Sequence, residues 1–244
     1  MILDVDIGNT RIKWRSSEQP DVIELFTFGD ELPERWRSLS SSDRLRLSSV
    51  LKPERTAGFI DAVRQLGGVL VERAQVQQDF AGLRLAYSDA SCFGVDRWLA
   101  LLAARARFSG RDCVVVSGGT ALTVDLVTAE GLHLGGYIAL GRRAAVQALW
   151  QSADGLGEAR QDFAPRLQPG TTTLDCVAAG LTLFYRGFAN ELRQRLEAEL
   201  SQPQWIFTGG DADALLYFFT EIGSCVSAQV VPGLVLEGLA IALP

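Results

Sequence analysis

Two segments of this chain repeat one pattern, and the repetition limits the folds open to it. Residues 2–14 run an apolar strand into Gly8-Asn9-Thr10 and leave on a second strand through Ile12 and Trp14. Residues 112–127 run Cys113-Val114-Val115-Val116 into Gly118-Gly119-Thr120 and leave through Leu122, Val124 and Leu126. Each reads as a β-hairpin whose turn is made of small residues. Two copies of one supersecondary unit suggest duplication: two domains built on one plan, facing each other across a cleft. Any two hairpins share some likeness, but the common Gly-Thr core favours duplication.

The remaining pattern is mixed α/β in both halves. In the first, strands are expected at 22–28, 45–50 and 69–71, with a short amphipathic stretch at 32–39. Helices are expected at 53–66, ended by Gly67-Gly68, and at 94–108, where Trp98, Leu101, Leu102, Arg105 and Phe108 recur at helical spacing. Gly110 stops that helix and marks the expected boundary between a first domain, 1–110, and a second, 111–244. The second half extends its hairpin through 131–138. A helix follows at 142–150, then a loop-like stretch at 154–165, holding Gly155 and Gly157, that is a candidate lid. A long helix at 174–200 with a bend near Gly187, a strand at 205–208, a helix at 211–219, a strand at 226–231 and a helix at 235–243 complete it.

With 48% hydrophobic and 21% charged residues, the 244-residue chain is long enough to bury a core without staples. The net charge of −6 and the lack of a basic stretch argue against nucleic acid as a partner. No apolar run reaches the ~18 residues of a membrane span, and Asp4 and Asp6 interrupt the apolar start, unlike a signal peptide. A cytoplasmic protein is expected. Cys92, Cys113, Cys176 and Cys225 stand far apart with one histidine, His133, so no familiar zinc set can be assembled. Their apolar or small neighbours suggest buried thiols in a reducing compartment. His133, in a strand-like run, reads as structural.

The chemistry concentrates in four motifs. At the first turn, Gly8 has no Cβ to hold a phosphate away from the backbone N–H groups and the Thr10 hydroxyl. Asp6, where the strand ends, suits a cation or water beside that phosphate. Lys13, one of two lysines against 21 arginines, offers a point charge. The second turn, Gly118-Gly119-Thr120, would hold phosphates from the other side, so that the two turns grip the β- and γ-phosphates of ATP. In Phe207-Thr208-Gly209-Gly210-Asp211, bare glycines at a strand end let an adenosine ring lie against backbone, with Asp211 as a helix cap. In Gly94-Val95-Asp96-Arg97-Trp98, Asp96 falls in the first turn of a helix, where the dipole favours a carboxylate, and Arg97 can fork onto a substrate carboxylate. The bland reading of that last motif is a cap and a surface arginine.

In this order the motifs resemble those of type III pantothenate kinases, of the acetate/sugar kinase–Hsp70–actin superfamily, over nearly the whole chain. Asp6-x-Gly8-Asn9-Thr10-x-x-Lys13, Gly94-Val95-Asp96-Arg97, Gly119-Thr120-Ala121 with Thr123 and Asp125, and Gly135-Gly136-Tyr137-Ile138 with Gly141 carry the likeness. Thr173, Gly180, Thr208-Gly209-Gly210-Asp211 and residues 232–239 complete it. The resemblance implies two duplicated ribonuclease H-like, actin-like domains with a nucleotide cleft between them. It implies ATP-dependent phosphorylation of pantothenate at its primary hydroxyl, with Mg²⁺, in a homodimer. Asp96 is then the catalytic base. ATP would be bound by Asp6, Gly8, Asn9, Thr10, Lys13, Thr120, Gly209 and Gly210. Pantothenate would be bound by Tyr87, Gly94, Val95, Arg97 and Thr173, in part across a dimer interface.

The chain departs from the family at several positions near these motifs. Ser117 stands where the family usually has an aspartate associated with an activating K⁺ or NH₄⁺. Leu140 replaces a proline, Ala90 stands near another missing proline, and Gly118 replaces an apolar residue. Altered cation dependence is the expected consequence. These changes also motivate an alternative, a catalytically impaired nucleotide-binding accessory protein. A kinase of the same superfamily acting on a sugar or acetate is a further alternative, disfavoured by residues 94–97 and Thr173.

Overall fold

The computed structural model describes residues 1–152, 164–220 and 227–244, which gather into two compact units, 1–107 with 233–244 and 108–232. The candidate lid at 154–165 therefore lies, but for its last two residues, outside the described residues, as does Cys225.

Unit 1 is built on β1 (Ile2–Ile7), β2 (Arg11–Ser16), β3 (Gln19–Thr27), β4 (Arg44–Ser49) and β5 (Leu70–Arg73), in the spatial order β3-β2-β1-β4-β5. The first three strands form an antiparallel meander, and β4 and β5 run parallel to β1. Helix α1 (Pro53–Arg64), with Pro at its first position, makes the crossover between the two parallel strands. Alternation along β1 puts Leu3, Val5 and Ile7 on one face. There they join Ile12, Trp14, Leu45, Leu47 and Val63 around the buried Trp36, whose ring meets Trp14 edge-on at 5.5 Å. A two-residue hairpin missed by periodicity, β6 (Asp79–Phe80) and β7 (Leu83–Arg84), leads to α2 (Val95–Arg107).

Unit 2 repeats this plan. Its strands β8 (Cys113–Gly118), β9 (Ala121–Val127), β10 (His133–Leu140), β11 (Gln204–Gly209) and β12 (Ala228–Val230) take the order β10-β9-β8-β11-β12. Again there is an antiparallel meander followed by two strands parallel to the first. The duplication expected from two hairpins thus extends to two sheets of identical topology. Helices α3 (Arg142–Ser152) and α4 (Thr173–Glu199) fill the connection between β10 and β11, and α5 (Ala212–Thr220) the next one. The core of this unit gathers Val114, Val116, Val124, Leu192, Phe207 and Phe218.

The closing helix α6 (Leu234–Ala242) corrects one expectation. A second domain running through 244 does not hold, because residues 233–244 belong to unit 1, where α6 packs on α2. The contact is between backbones: a Cβ at Gly238 would stand 2.1 Å from the Leu99 carbonyl oxygen. The cysteine expectation also changes. Cys113 is buried, with its thiol pushed up to about 11 by desolvation, but Cys92 and Cys176 are exposed. His133 is buried, its Nε2 3.2 Å from Asp125 Oδ1.

Since backbone cannot yield as a flexible side chain can, Gly238→Ala forces α6 and α2 apart. We expect it to lower stability by about 1–3 kcal/mol, the usual range for overpacking, measured by urea unfolding. An unchanged midpoint would show that the contact is not tight.

Candidate active site

In unit 1 the β1–β2 turn is a two-residue loop, Asn9-Thr10, closed by the Gly8 N–H donating to the Arg11 carbonyl at 3.1 Å. Of the backbone donors expected there, the Gly8 N–H is thus already committed to the hairpin. Asn9 and Thr10 are exposed at its tip. Asp6 lies at the end of β1, opposite Lys13 on β2 and Ser48 on β4. Its Oδ1 is buried without a hydrogen-bond partner. Desolvation raises the Asp6 carboxyl to about 6; the charge of Asp96 adds to the rise, while Ser48 and Lys13 oppose it. Desolvation also lowers the Lys13 ammonium, against the pull of Asp6. Burial is costly for either ion, and each is the other's partial compensation.

Asp96 reaches this place from α2. It occupies the helix's first turn, and its Oδ1 accepts the Arg97 N–H at 2.9 Å. A Cβ at Gly94 would meet that same oxygen at 2.8 Å and the Arg97 Cδ at 3.5 Å, so both side chains fold over the bare face of Gly94. Val95 opens the helix. Arg97 is not the surface arginine of the bland reading. It is 8% exposed, its guanidinium 4.4 Å from the centre of the Phe93 ring and 5.9 Å from that of Tyr87. Its Nη1 donates to the Tyr87 hydroxyl at 3.3 Å, and the two rings meet edge-on at 4.8 Å. Stacking on aromatic faces holds the guanidinium plane in a fixed orientation. Phe93 was not singled out from sequence, although it directly precedes Gly94. Asp6, Gly8, Asn9, Thr10, Lys13, Tyr87, Gly94, Val95, Asp96 and Arg97 all belong to unit 1.

Ser117, Thr120, Thr173, Gly209 and Gly210 belong to unit 2. Here the β8–β9 turn, the end of β10 and the end of β11 close on one another. The Gly141 N–H donates to the Thr120 carbonyl at 3.1 Å, and the Asp211 N–H to the Gly118 carbonyl at 3.2 Å. A Cβ at Gly141 would lie 2.1 Å from the Gly119 carbonyl oxygen, and one at Gly209, where φ is +88°, 2.2 Å from that of Gly118. Gly209 is thus required by the packing of backbone on backbone, whereas Gly210 leaves open space. Leu215 reaches to within 2.5 Å of where a Gly118 Cβ would stand, filling the place of the apolar residue absent there.

Ser117 pairs in register with Thr208 and Thr123, so the end of β8 carries no charge. Asp211, expected as a cap, stands just before α5, and its carboxylate meets arginine instead: Arg143 at 3.3 Å and Arg142 at 4.0 Å. Thr173 is exposed at the first position of α4, next to the cap Thr172, whose Oγ1 accepts the Asp175 N–H. Thr172 and Asp175 line an open cavity of about 380 Å³ between α3 and the start of α4.

A family model described as type III pantothenate kinase matches residues 2–195. The type III pantothenate kinase of Teredinibacter turnerae is 34% identical over 251 residues, covering 99% of this chain and 98% of its own length. That of Pseudomonas aeruginosa is 35% identical over 263 residues, covering 100% and 99%. Among solved structures, a protein described as a Baf family transcriptional activator from Campylobacter jejuni superposes with a TM-score of 0.60 at 18% identity, over 98% of this chain and 95% of that one. MreB5 of Spiroplasma citri bound to ADP does so at 0.53 and 11%, over 98% and 95%. At these identities the structural likeness is one of fold.

Asp6 holds its proton more tightly in the folded chain than in the unfolded one, so its contribution to stability declines as pH rises from about 4 to about 6. Asp6→Asn removes the charged form. Without nucleotide or divalent metal, the variant should exceed the wild type by up to about 3 kcal/mol at neutral pH, the difference vanishing near pH 4. Thermal unfolding of both proteins across that range measures it. Parallel curves would mean that Asp6 titrates as an ordinary carboxyl.

Proposed function

The chain belongs to the type III pantothenate kinase family, and from that premise we propose how its residues divide the work of phosphorylating pantothenate with ATP, a reaction of coenzyme A biosynthesis. The observation that carries the assignment is Asp6. A buried carboxylate oxygen without a partner, beside a second carboxylate on Asp96, is a poor structural element and a good cation ligand.

Asp6 would hold the divalent metal that accompanies ATP. A magnesium ion of this kind takes most of its ligands from phosphate oxygens and water, with one or two carboxylates from the protein. When bound, that metal supplies charge neutralisation on the phosphates. Lys13, the exposed Asn9-Thr10 tip and Gly8 form the first phosphate turn; Thr120 belongs to the second, and Gly210 leaves a bare surface for adenosine beside Gly209. Arg97, steadied by Tyr87 and Phe93, takes the pantothenate carboxylate, with Gly94, Val95 and Thr173 as further contacts.

Asp96 accepts the proton of the primary hydroxyl as that oxygen attacks the γ-phosphorus. The bond from the γ-phosphorus to its bridging oxygen breaks and ADP leaves. Phosphoryl transfer has a loose transition state, so the alignment given by Asp96 matters more than its basicity. The active particle is a homodimer, a reading supported by Leu183 and Phe184 on α4 and Ile138 on β10, each more than half exposed. Its partners are small molecules rather than nucleic acid or membrane. A cytoplasmic location goes with ATP as substrate and with free thiols. No helix among the described residues is long and apolar enough to cross a membrane.

ADP release, coupled to NADH oxidation, tests the assignment. Release should require pantothenate, and Asp96→Asn should lower kcat by about 10²–10⁴. Folded protein that releases no pantothenate-dependent ADP at millimolar ATP would overturn the reading. Ser117 offers a monovalent cation a hydroxyl but no charge. The wild type should therefore respond weakly to K⁺ or NH₄⁺, and Ser117→Asp should introduce stimulation by K⁺ over tetramethylammonium in the same assay. Equal indifference of both proteins would refute this role for position 117.

A further inference from the structure

We propose that Arg143 is a phosphate-recognition residue of unit 2, aimed by Asp211, and that it meets the phosphates beyond the α-phosphate of the nucleotide at the β8–β9 turn. This rests on the kinase reading above, since it needs a nucleoside triphosphate at that turn.

Three independent connections bring charge there. The Gly141 N–H bonds to Thr120, so Arg142 and Arg143, the first residues of α3, start from the turn itself. The Asp211 N–H bonds to Gly118, so that carboxylate starts from the turn as well. Both guanidinium groups then converge on a single oxygen, Asp211 Oδ1. Arg142 and Arg143 thus bring two guanidinium groups to the Asp211 carboxylate, beside a Ser117-Gly118-Gly119-Thr120 run whose own side chains carry no charge.

The two arginines are not equivalent. Arg142 is buried, whereas the Arg143 side chain is 38% exposed while Asp211 is 5% exposed. Arg143 is the member of the cluster whose head can meet a ligand arriving from solvent. The shortest approach of its guanidinium to Asp211 is 3.3 Å, from Nη2 to Oδ1. A locked structural pair would show the short, two-pronged fork of about 2.7–2.9 Å. A guanidinium has five donors, and a contact this loose leaves most of them for phosphate oxygens. Asp211 thereby acts as a positioning residue: it limits the rotamers of Arg143 without consuming it.

Dissociation constants for ATP and for AMP, measured by calorimetry on the full chain, separate this from a structural role. Arg143→Ala should weaken ATP about 10–100-fold, the usual worth of a charged contact to phosphate, and leave AMP within twofold. Arg143→Lys should recover part of the loss, and the KM for pantothenate should stay unchanged. Asp211→Asn should weaken ATP less than Arg143→Ala, and adding it to Arg143→Ala should cost little more, because its effect passes through the arginine. ATP affinity within twofold of wild type in a folded Arg143→Ala variant would overturn the proposal, as would an equal loss for AMP. Arg143→Gln serves in place of the alanine variant if that one fails to fold. Failure of the wild type to bind ATP at all would overturn the kinase reading itself, which distinguishes the two.

Discussion

Asp4 is the residue on which the arrangement of unit 1 depends. It is 4% exposed on the central strand β1, where an unpaired charge could not persist. Arg15 Nε donates to one of its oxygens at 2.9 Å and Arg46 Nε to the other at 2.6 Å. Each arginine then extends to α6: Arg15 Nη2 to the Leu236 carbonyl at 3.0 Å, Arg46 Nη1 to that of Leu243 at 3.1 Å. A buried ion pair of this kind adds little net stability, but removing one partner strands the others and costs about 3–5 kcal/mol. What the network supplies is position. It seats α6 on the sheet; α6, through Gly238 against Leu99, seats α2; and the first turn of α2 carries Asp96 to Asp6.

Asp6, two residues further along the same strand, shows the opposite solution to the same problem. Alternation puts both carboxylates on one face of β1, yet Asp4 has two arginines while Asp6 has an oxygen with no hydrogen-bond partner and a second carboxylate nearby. A sequence selected for stability alone would not keep that arrangement. It would become favourable with a cation bound, because the burial that disfavours the naked carboxylate also strengthens its attraction for a positive charge. The strain sits at the strand end, where the hairpin opens, and Asp4 keeps the interior of the strand in place around it.

Much of this was legible in the residues. Alternating Leu3, Val5 and Ile7, the Pro53 start of α1 and the helical spacing of Trp98, Leu101 and Leu102 are local signals, and the elements form where those signals lie. The repeated Gly-Thr turns foretold the duplicated sheet. What escaped depends on contacts between distant segments. The assignment of α6 to unit 1 rests on a glycine meeting a carbonyl 139 positions away in sequence, which no periodicity encodes. The commitment of the Gly8 N–H to Arg11 follows from hairpin geometry, and the motif reads the same with that donor free or bonded. Arg142 and Arg143 looked like ordinary residues at a helix start, because Asp211, which gives them meaning, enters the fold by another strand. The exposure of Cys92 and Cys176 likewise depends on where their short segments lie, not on their apolar neighbours.

The two copies of the hairpin have come to carry charge in different ways. In unit 1 the ionic groups are on the strands themselves: Asp6 two residues before Gly8, with Lys13 as its register partner. In unit 2 the corresponding place, two residues before Gly119, is Ser117, and its register partner is Thr123. Charge there comes from outside the hairpin, through Arg142, Arg143 and Asp211 at the ends of neighbouring elements. A strand position is fixed by its ladder on both sides, so the Asp6 carboxylate is held in place by β2 and β4. An arginine at the start of a helix has a long side chain and several rotamers, and so can adjust its position. The same topology thus supports a rigid acidic end in one unit and an adjustable basic one in the other, and the difference lies in which element carries the charge.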